Sequence, residues 1–170
     1  IYETDASAFF PRLNKYGNQL LLLNITSDQN ECNTYHLELL NPNGRDRSII
    51  AERNASSEAG SYISCIDTDE KYIYAFEECI HMSKRTYQIL RFEPNGEADS
   101  FQVDLSELIE VDTNGLSNDV IMYMEKIGDY FVLQTLNGRL YLLMMTDDSI
   151  QTTEIDSQFY RSVPGGYSFL

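Results

Sequence analysis

Hydrophobic side chains fall along this chain in short bursts, such as Leu20-Leu21-Leu22-Leu23, Tyr72-Ile73-Tyr74 and Tyr130-Phe131-Val132, separated by clusters of Asn, Asp, Gly and Pro. Apolar runs of about four to eight residues between turn formers predict β-strands, and consecutive rather than alternating apolar positions predict strands buried on both faces. On that pattern strands are expected at Gln19 to Ile25, Arg47 to Ile50, Tyr62 to Ile66, Lys71 to Phe76, Phe101 to Leu105, Val120 to Met124, Tyr130 to Gln134, Arg139 to Met145 and Ile150 to Thr153. Phe9 to Leu13 followed by Lys15 to Asn18 supplies an earlier strand, and Phe159 to Val163 with Tyr167 to Leu170 supplies two later ones around Pro164-Gly165-Gly166.

An internal repeat organises these strands. Thr34-Tyr35-His36-Leu37-Glu38-Leu39-Leu40-Asn41-Pro42-Asn43-Gly44 returns as Thr86-Tyr87-Gln88-Ile89-Leu90-Arg91-Phe92-Glu93-Pro94-Asn95-Gly96, in ungapped register. Each copy reads as a strand ending in a turn, and Asn-Gly in that position predicts a type I′ hairpin, because both residues accept positive φ. A third unit follows the same grammar with its hairpin at Asn137-Gly138. The chain thus divides into units at 9–53, 61–105 and 120–155, with a fourth starting over 159–170.

Four short antiparallel strands every ~50 residues are the sequence signature of propeller blades. The expected fold is therefore all-β, a propeller-like array of four-stranded antiparallel blades. A blade cannot bury its two faces alone, and closed rings use about four to eight blades. Three and a half units lead to the expectation that the remainder of the propeller lies elsewhere in the same chain or in another chain. The alternatives are an open sandwich or a β-solenoid.

Charge narrows the partners. Acidic residues number 27 against 12 basic ones, and the excess is spread along the chain, giving a net charge of −15. Such a surface repels phosphate backbones and anionic headgroups, so nucleic acid is not expected as a partner. No apolar run approaches the ~20 residues of a membrane-spanning helix, so direct membrane insertion is not expected.

No complete catalytic motif is present: the chain lacks Gly-x-Ser-x-Gly, His-Glu-x-x-His and a glycine-rich phosphate cradle. Cys32, Cys65 and Cys79 with His36 and His81 lack the spacing of a metal site, so neither a metal nor a cofactor is expected. Whether Cys32 and Cys79 bridge is left open by spacing, whereas Cys65, inside a first strand, reads as packing. Asp67, Asp69 and Glu70 form an acidic turn whose spacing fits turn chemistry better than a calcium loop. Glu77 and Glu78 read as the start of a polar loop running through His81, Lys84 and Arg85, either solvated or lining a binding surface. Asn24-Ile25-Thr26 and Asn54-Ala55-Ser56 match the glycosylation sequon, and Tyr72, Tyr74 and Phe76 share a strand face that packs inward or, if exposed, stacks on a sugar.

Asp69-Glu70-Lys71-Tyr72-Ile73-Tyr74 followed by Tyr87 to Gly96 resembles the strand and hairpin phrase repeated in secreted or lipid-anchored bacterial propellers. Those are distantly similar to TolB-type propellers and to the propeller of low-density-lipoprotein receptors, although the Tyr-Trp-Thr-Asp signature of the latter is missing. The resemblance implies a propeller fold and an extracellular or cell-surface setting. The expected function is a non-catalytic binding or scaffold domain that presents loops to a protein or glycan partner. The alternatives are a hydrolase or lyase with a metal-binding acidic channel, and a spacer between neighbouring domains.

Overall fold

The computed structural model describes residues 12–27, 32–43, 45–55, 59–81, 84–96, 98–105, 120–136, 138–146 and 149–155. Among the described residues twelve strands follow one another: β1 (Arg12–Tyr16), β2 (Gln19–Ser27), β3 (Asn33–Leu40), β4 (Arg47–Ala55), β5 (Ala59–Thr68), β6 (Ile73–His81), β7 (Lys84–Phe92), β8 (Ala98–Val103), β9 (Ile121–Ile127), β10 (Tyr130–Thr135), β11 (Leu140–Met145) and β12 (Ile150–Ile155). Each pairs antiparallel with its neighbour in sequence, giving the meanders β1 to β4, β5 to β8 and β9 to β12. The chain is all-β, a propeller-like array of four-stranded antiparallel blades. The strand segments expected around residues 159 and 167, the start at Phe9 and the turn residues Gly44 and Asn137 lie outside the described residues.

The first two blades are hydrogen-bonded into one sheet, but β4 meets β5 only at Ala55↔Gly60. That single pair marks the corner where the chain leaves the outer strand of one blade and enters the inner strand of the next. Gly60 has φ +122 there, and a Cβ on it would lie 2.4 Å from the Asn54 carbonyl oxygen and 2.7 Å from Ala55 Cα. The corner closes because this residue has no side chain.

Side-chain alternation along the middle blade builds two cores at once. From β6 and β7, Ile73, Ala75, Leu90 and Phe92 point to the first blade and pack with Leu21, Leu23, Leu37 and Leu39. The intervening Tyr74, Phe76, Tyr87 and Ile89 point the other way and pack with Phe131, Leu133, Tyr141 and Leu143 of the third blade. Both faces of the middle blade are therefore buried, which is why β6 lacks polar alternation. The third blade's opposite face is more open: Tyr123, Ile127 and Tyr130 are each at least 39% exposed.

The first strand β5 contacts both β1 and β9, and side chains of one first strand take up backbone groups of another. Arg12 Nη1 donates to the Met122 carbonyl at 2.6 Å, Thr68 Oγ1 to the Lys15 carbonyl at 2.7 Å, and the Lys126 N–H donates to Asp67 Oδ2 at 2.5 Å. Asn14 Nδ2 reaches the other oxygen of Asp67 at 2.7 Å. Inner edges that would otherwise expose unpaired amides and carbonyls are covered in this way.

The hairpins differ from the expectation in one respect. Gly96 N–H donates to the Glu93 carbonyl at 2.9 Å, so the turn runs Glu93-Pro94-Asn95-Gly96. Proline at its second position fixes φ near −65°, which excludes a type I′ turn, and the positive φ falls on Gly96 at +88. At the third hairpin Gly138 likewise donates to the Thr135 carbonyl at 3.0 Å, with φ +82. Two-residue loops occur instead at Gly17-Asn18 and Gly128-Asp129, where Tyr16 pairs with Gln19 and Ile127 with Tyr130, and the glycines have φ +56 and +57.

Candidate binding cleft

Between the second and third blades, at the end where the first strand turns into the second, the hairpins enclose a cleft of about 790 Å³. Asp69, Lys71, Tyr72 and Tyr74 line one wall, Lys126, Gly128 and Asp129 the other, and Arg91, Met145 and Thr146 complete it. Asp69 organises the first wall. Its Oδ1 accepts the N–H groups of Lys71 at 2.8 Å and Tyr72 at 2.7 Å, and its Oδ2 accepts the Tyr74 hydroxyl at 2.7 Å. This is the aspartate-capped turn that the acidic segment suggested. The Met145 N–H donates to the Asp129 carbonyl at 2.9 Å, which ties the β9–β10 and β11–β12 turns together.

Cations and aromatic rings alternate across the cleft. Lys71 Nζ lies 4.4 Å and Arg91 Cζ 4.8 Å from the Tyr72 ring centre. Lys126 Nζ lies 5.5 Å from the Tyr74 ring and 5.2 Å from Phe131, within the range where a ring face attracts a cation. Arg91 is also held from outside by Asp99 at 2.6 Å. Burial works against the charge of Asp69, but hydrogen bonds from Tyr74 and the turn amides, with Lys126 nearby, outweigh it and hold the carboxyl below its ordinary range. Burial, then the hydrogen bond to Asp69 and its charge, push the Tyr74 hydroxyl well above the usual tyrosine value. At neutral pH the pair is a phenol donating to a carboxylate.

Of the residues singled out in the sequence, Asp67 and Asp69 both reach this region, but their oxygens are occupied by protein donors. Among the described residues no group of three or more His, Cys, Asp or Glu side chains is arranged to hold a metal ion. Tyr74 and Phe76 are buried and pack, while Tyr72 stays half-buried with cations near its ring.

The expectation of a polar loop beginning at Glu77 is corrected. Residues 77–81 continue β6, paired with β7 as far as His81↔Lys84, and Glu77 and Glu78 are 1% and 3% exposed. Cationic and hydrogen-bonding partners allow it. Arg53 Nε lies 2.5 Å from Glu77, Gln88 donates to the other Glu77 oxygen, and Arg85 Nη1 lies 2.6 Å from Glu78. Paired and hydrogen-bonded carboxylates can continue a strand into the interior, which hydropathy alone does not reveal.

Cys79 consequently sits in β6 and not in a rim loop, and Cys32, Cys65 and Cys79 are all thiols. Cys65 is buried, with Arg12 Nη1 3.5 Å from its sulfur. Asn24 is 7% exposed, so its sequon is closed to modification in the folded chain, and Asn54 Oδ1 accepts the Thr34 hydroxyl at 2.9 Å.

Sequence reasoning missed Arg91, Lys126 and Asp129 as cleft residues. Gly128-Asp129 carries a tight-turn signal that was not singled out, and its approach to the β5–β6 turn depends on blade stacking.

No family model matches the chain, and no curated protein matches it. Two solved structures are similar to it. One is a chain of the S. cerevisiae complex of Dbp5 bound to Nup159 and Gle1 with IP6 and ADP, at 14% identity and a TM-score of 0.45, covering 88% of this chain and 47% of that one. The other is the N-terminal domain of Nup159, at 14% identity and a TM-score of 0.38, covering 88% of this chain and 48% of that one. This chain therefore spans just under half the length of the solved chains it matches. Its class is set by its own architecture: a propeller-like blade array with a cation- and tyrosine-lined cleft between two blades.

Proposed function

We propose that this chain is part of a larger propeller-type scaffold that works by binding a protein partner, with the cleft between the second and third blades as the contact site. The observation that carries this reading is the arrangement of the cleft. Its carboxylate Asp69 is committed to three donors that fix the turn, while the half-buried Tyr72 and the cations around it present a surface suited to recognition. The open face of the third blade supports the larger scaffold: Ile127, Tyr130 and Met144 are cross-strand neighbours on one side of that sheet, like the sides that the middle blade buries. An extracellular or cell-surface setting belongs to the same proposal through the resemblance to secreted propellers, and a glycan is the other ligand class that propellers of that kind suggest.

Selection of phage-displayed random peptides tests the site. Enriched peptides should bind the parent protein and lose binding to the Tyr72→Ala and Arg91→Ala variants. Peptides that bind all three proteins equally would place the contact elsewhere and end this reading.

A further inference from the structure

The geometry points to a specific ligand chemistry for the cleft: it takes the carboxylates of an acidic peptide segment, with Lys71 and Lys126 as the recognising cations. This rests on the binding reading above and adds the class of ligand.

Scarce cations concentrate at this site. Of 12 lysines and arginines in a chain of net charge −15, three meet in this one cleft. Arg47, Arg53, Arg85, Arg91 and Arg139 all form ion pairs with carboxylates. The two cleft lysines behave differently. Lys71 and Lys126 are set near aromatic rings, and among the described residues neither has a carboxylate within ion-pairing distance. Lys126 Nζ donates to the uncharged Gly128 carbonyl, and Asp69 acts on it through space without an ion-pair contact. A ring face attracts an ammonium without consuming its N–H donors, so each can still donate to an incoming carboxylate.

The shape of the site favours a peptide side chain over a small free anion. Tyr72, Tyr74 and Met145 lie beside the lysines, so a glutamate can lay its methylene stem on tyrosine and methionine while its carboxylate reaches an ammonium. Glu70 and Asp129 also line the cleft and are exposed. They oppose an acidic ligand, so their neutralisation is expected to strengthen binding.

The experiment is fluorescence anisotropy with three labelled peptides of equal length: oligoglutamate, oligolysine and a Gly-Ser repeat. The parent protein should bind oligoglutamate, with affinity falling as salt is added. Lys71→Gln and Lys126→Gln should each weaken it about two- to fivefold, the span expected for one partly exposed charge pair. Lys71 is exposed, so its substitution leaves the fold intact. Glu70→Gln and Asp129→Asn should tighten binding by a similar factor. Oligoglutamate binding that ignores all four substitutions, or no oligoglutamate binding, overturns the inference. Binding of the Gly-Ser or oligolysine peptide instead, lost in Tyr72→Ala, overturns the acidic class while leaving the cleft as the contact site.

Discussion

Replacing Gly60 by alanine puts a methyl group where the first blade hands the chain to the second. The new Cβ would lie 2.4 Å from the Asn54 carbonyl oxygen and 2.7 Å from Ala55 Cα, so backbone and not a flexible side chain has to yield. A non-glycine residue held at φ +122 costs about 1–3 kcal/mol in backbone strain. Prising apart the Ala55↔Gly60 pair costs about 1 kcal/mol more for a lost hydrogen bond. The expected loss is therefore about 2–4 kcal/mol, or roughly 5–15 °C in Tm for a domain of this size. Gly128→Ala is the control, because it too has positive φ, +57, but nothing lies within 4 Å of its Cβ; it should cost only ~1 kcal/mol. Urea unfolding followed by far-ultraviolet circular dichroism and tyrosine fluorescence reads both, since the chain has 12 tyrosines and no tryptophan. Equal losses for the two variants would refute the reasoning, for they would mean that the corner carries no steric requirement beyond its dihedral angle.

Arg53→Ala leaves Glu77 buried without its cationic partner and should cost about 3–5 kcal/mol by chemical denaturation; a loss under ~1 kcal/mol would show that Gln88 alone suffices. Phe131→Ala empties the centre of the packing between the second and third blades and should cost about 3–5 kcal/mol, detectable as a lowered urea midpoint. Asp69 has a folded pKa below its ordinary 3.8, so its stabilising contribution is present above that value and is lost as pH falls through the lowered one. Melting temperatures of the parent and Asp69→Asn, compared across the acid range, should therefore converge on acidification; a gap that persists at the acid end would show that the carboxylate charge is not what fixes the turn. Burial and then Glu125 push Tyr123 up to about 12, so the native state holds that proton more tightly than the unfolded chain. The stabilisation is present below the ordinary value near 10 and disappears as pH rises through about 12, and Tyr123→Phe should remove one component near that pH from the tyrosinate absorbance titration, while Tyr74 still titrates later.

Much of the strand framework was legible from periodicity, because apolar runs and turn residues act locally. The repeated phrase at Thr34 and Thr86 marked the third strand of two successive blades, and both copies are strands ending in proline turns. Local signals misled where two requirements shared a residue. Asn-Gly suggested a type I′ hairpin, but the preceding proline fixes φ and hands the positive angle to glycine alone. Glu77 and Glu78 suggested a loop, because charge ordinarily avoids the interior; their partners Arg53 and Arg85 lie 24 and 7 residues away.

The cleft shows the same division more sharply. The chain by itself determined the turn at Asp69 and the tight loop at Gly128, since a side-chain carboxylate and a missing Cβ act within a few residues. Only the stacking of blades brought Lys126 and Met145 against Tyr72 and Tyr74, because that approach depends on opposite faces of the middle blade being buried together. Contacts of this kind are set by how sheets pack through space, and the order of residues within any one strand does not encode them.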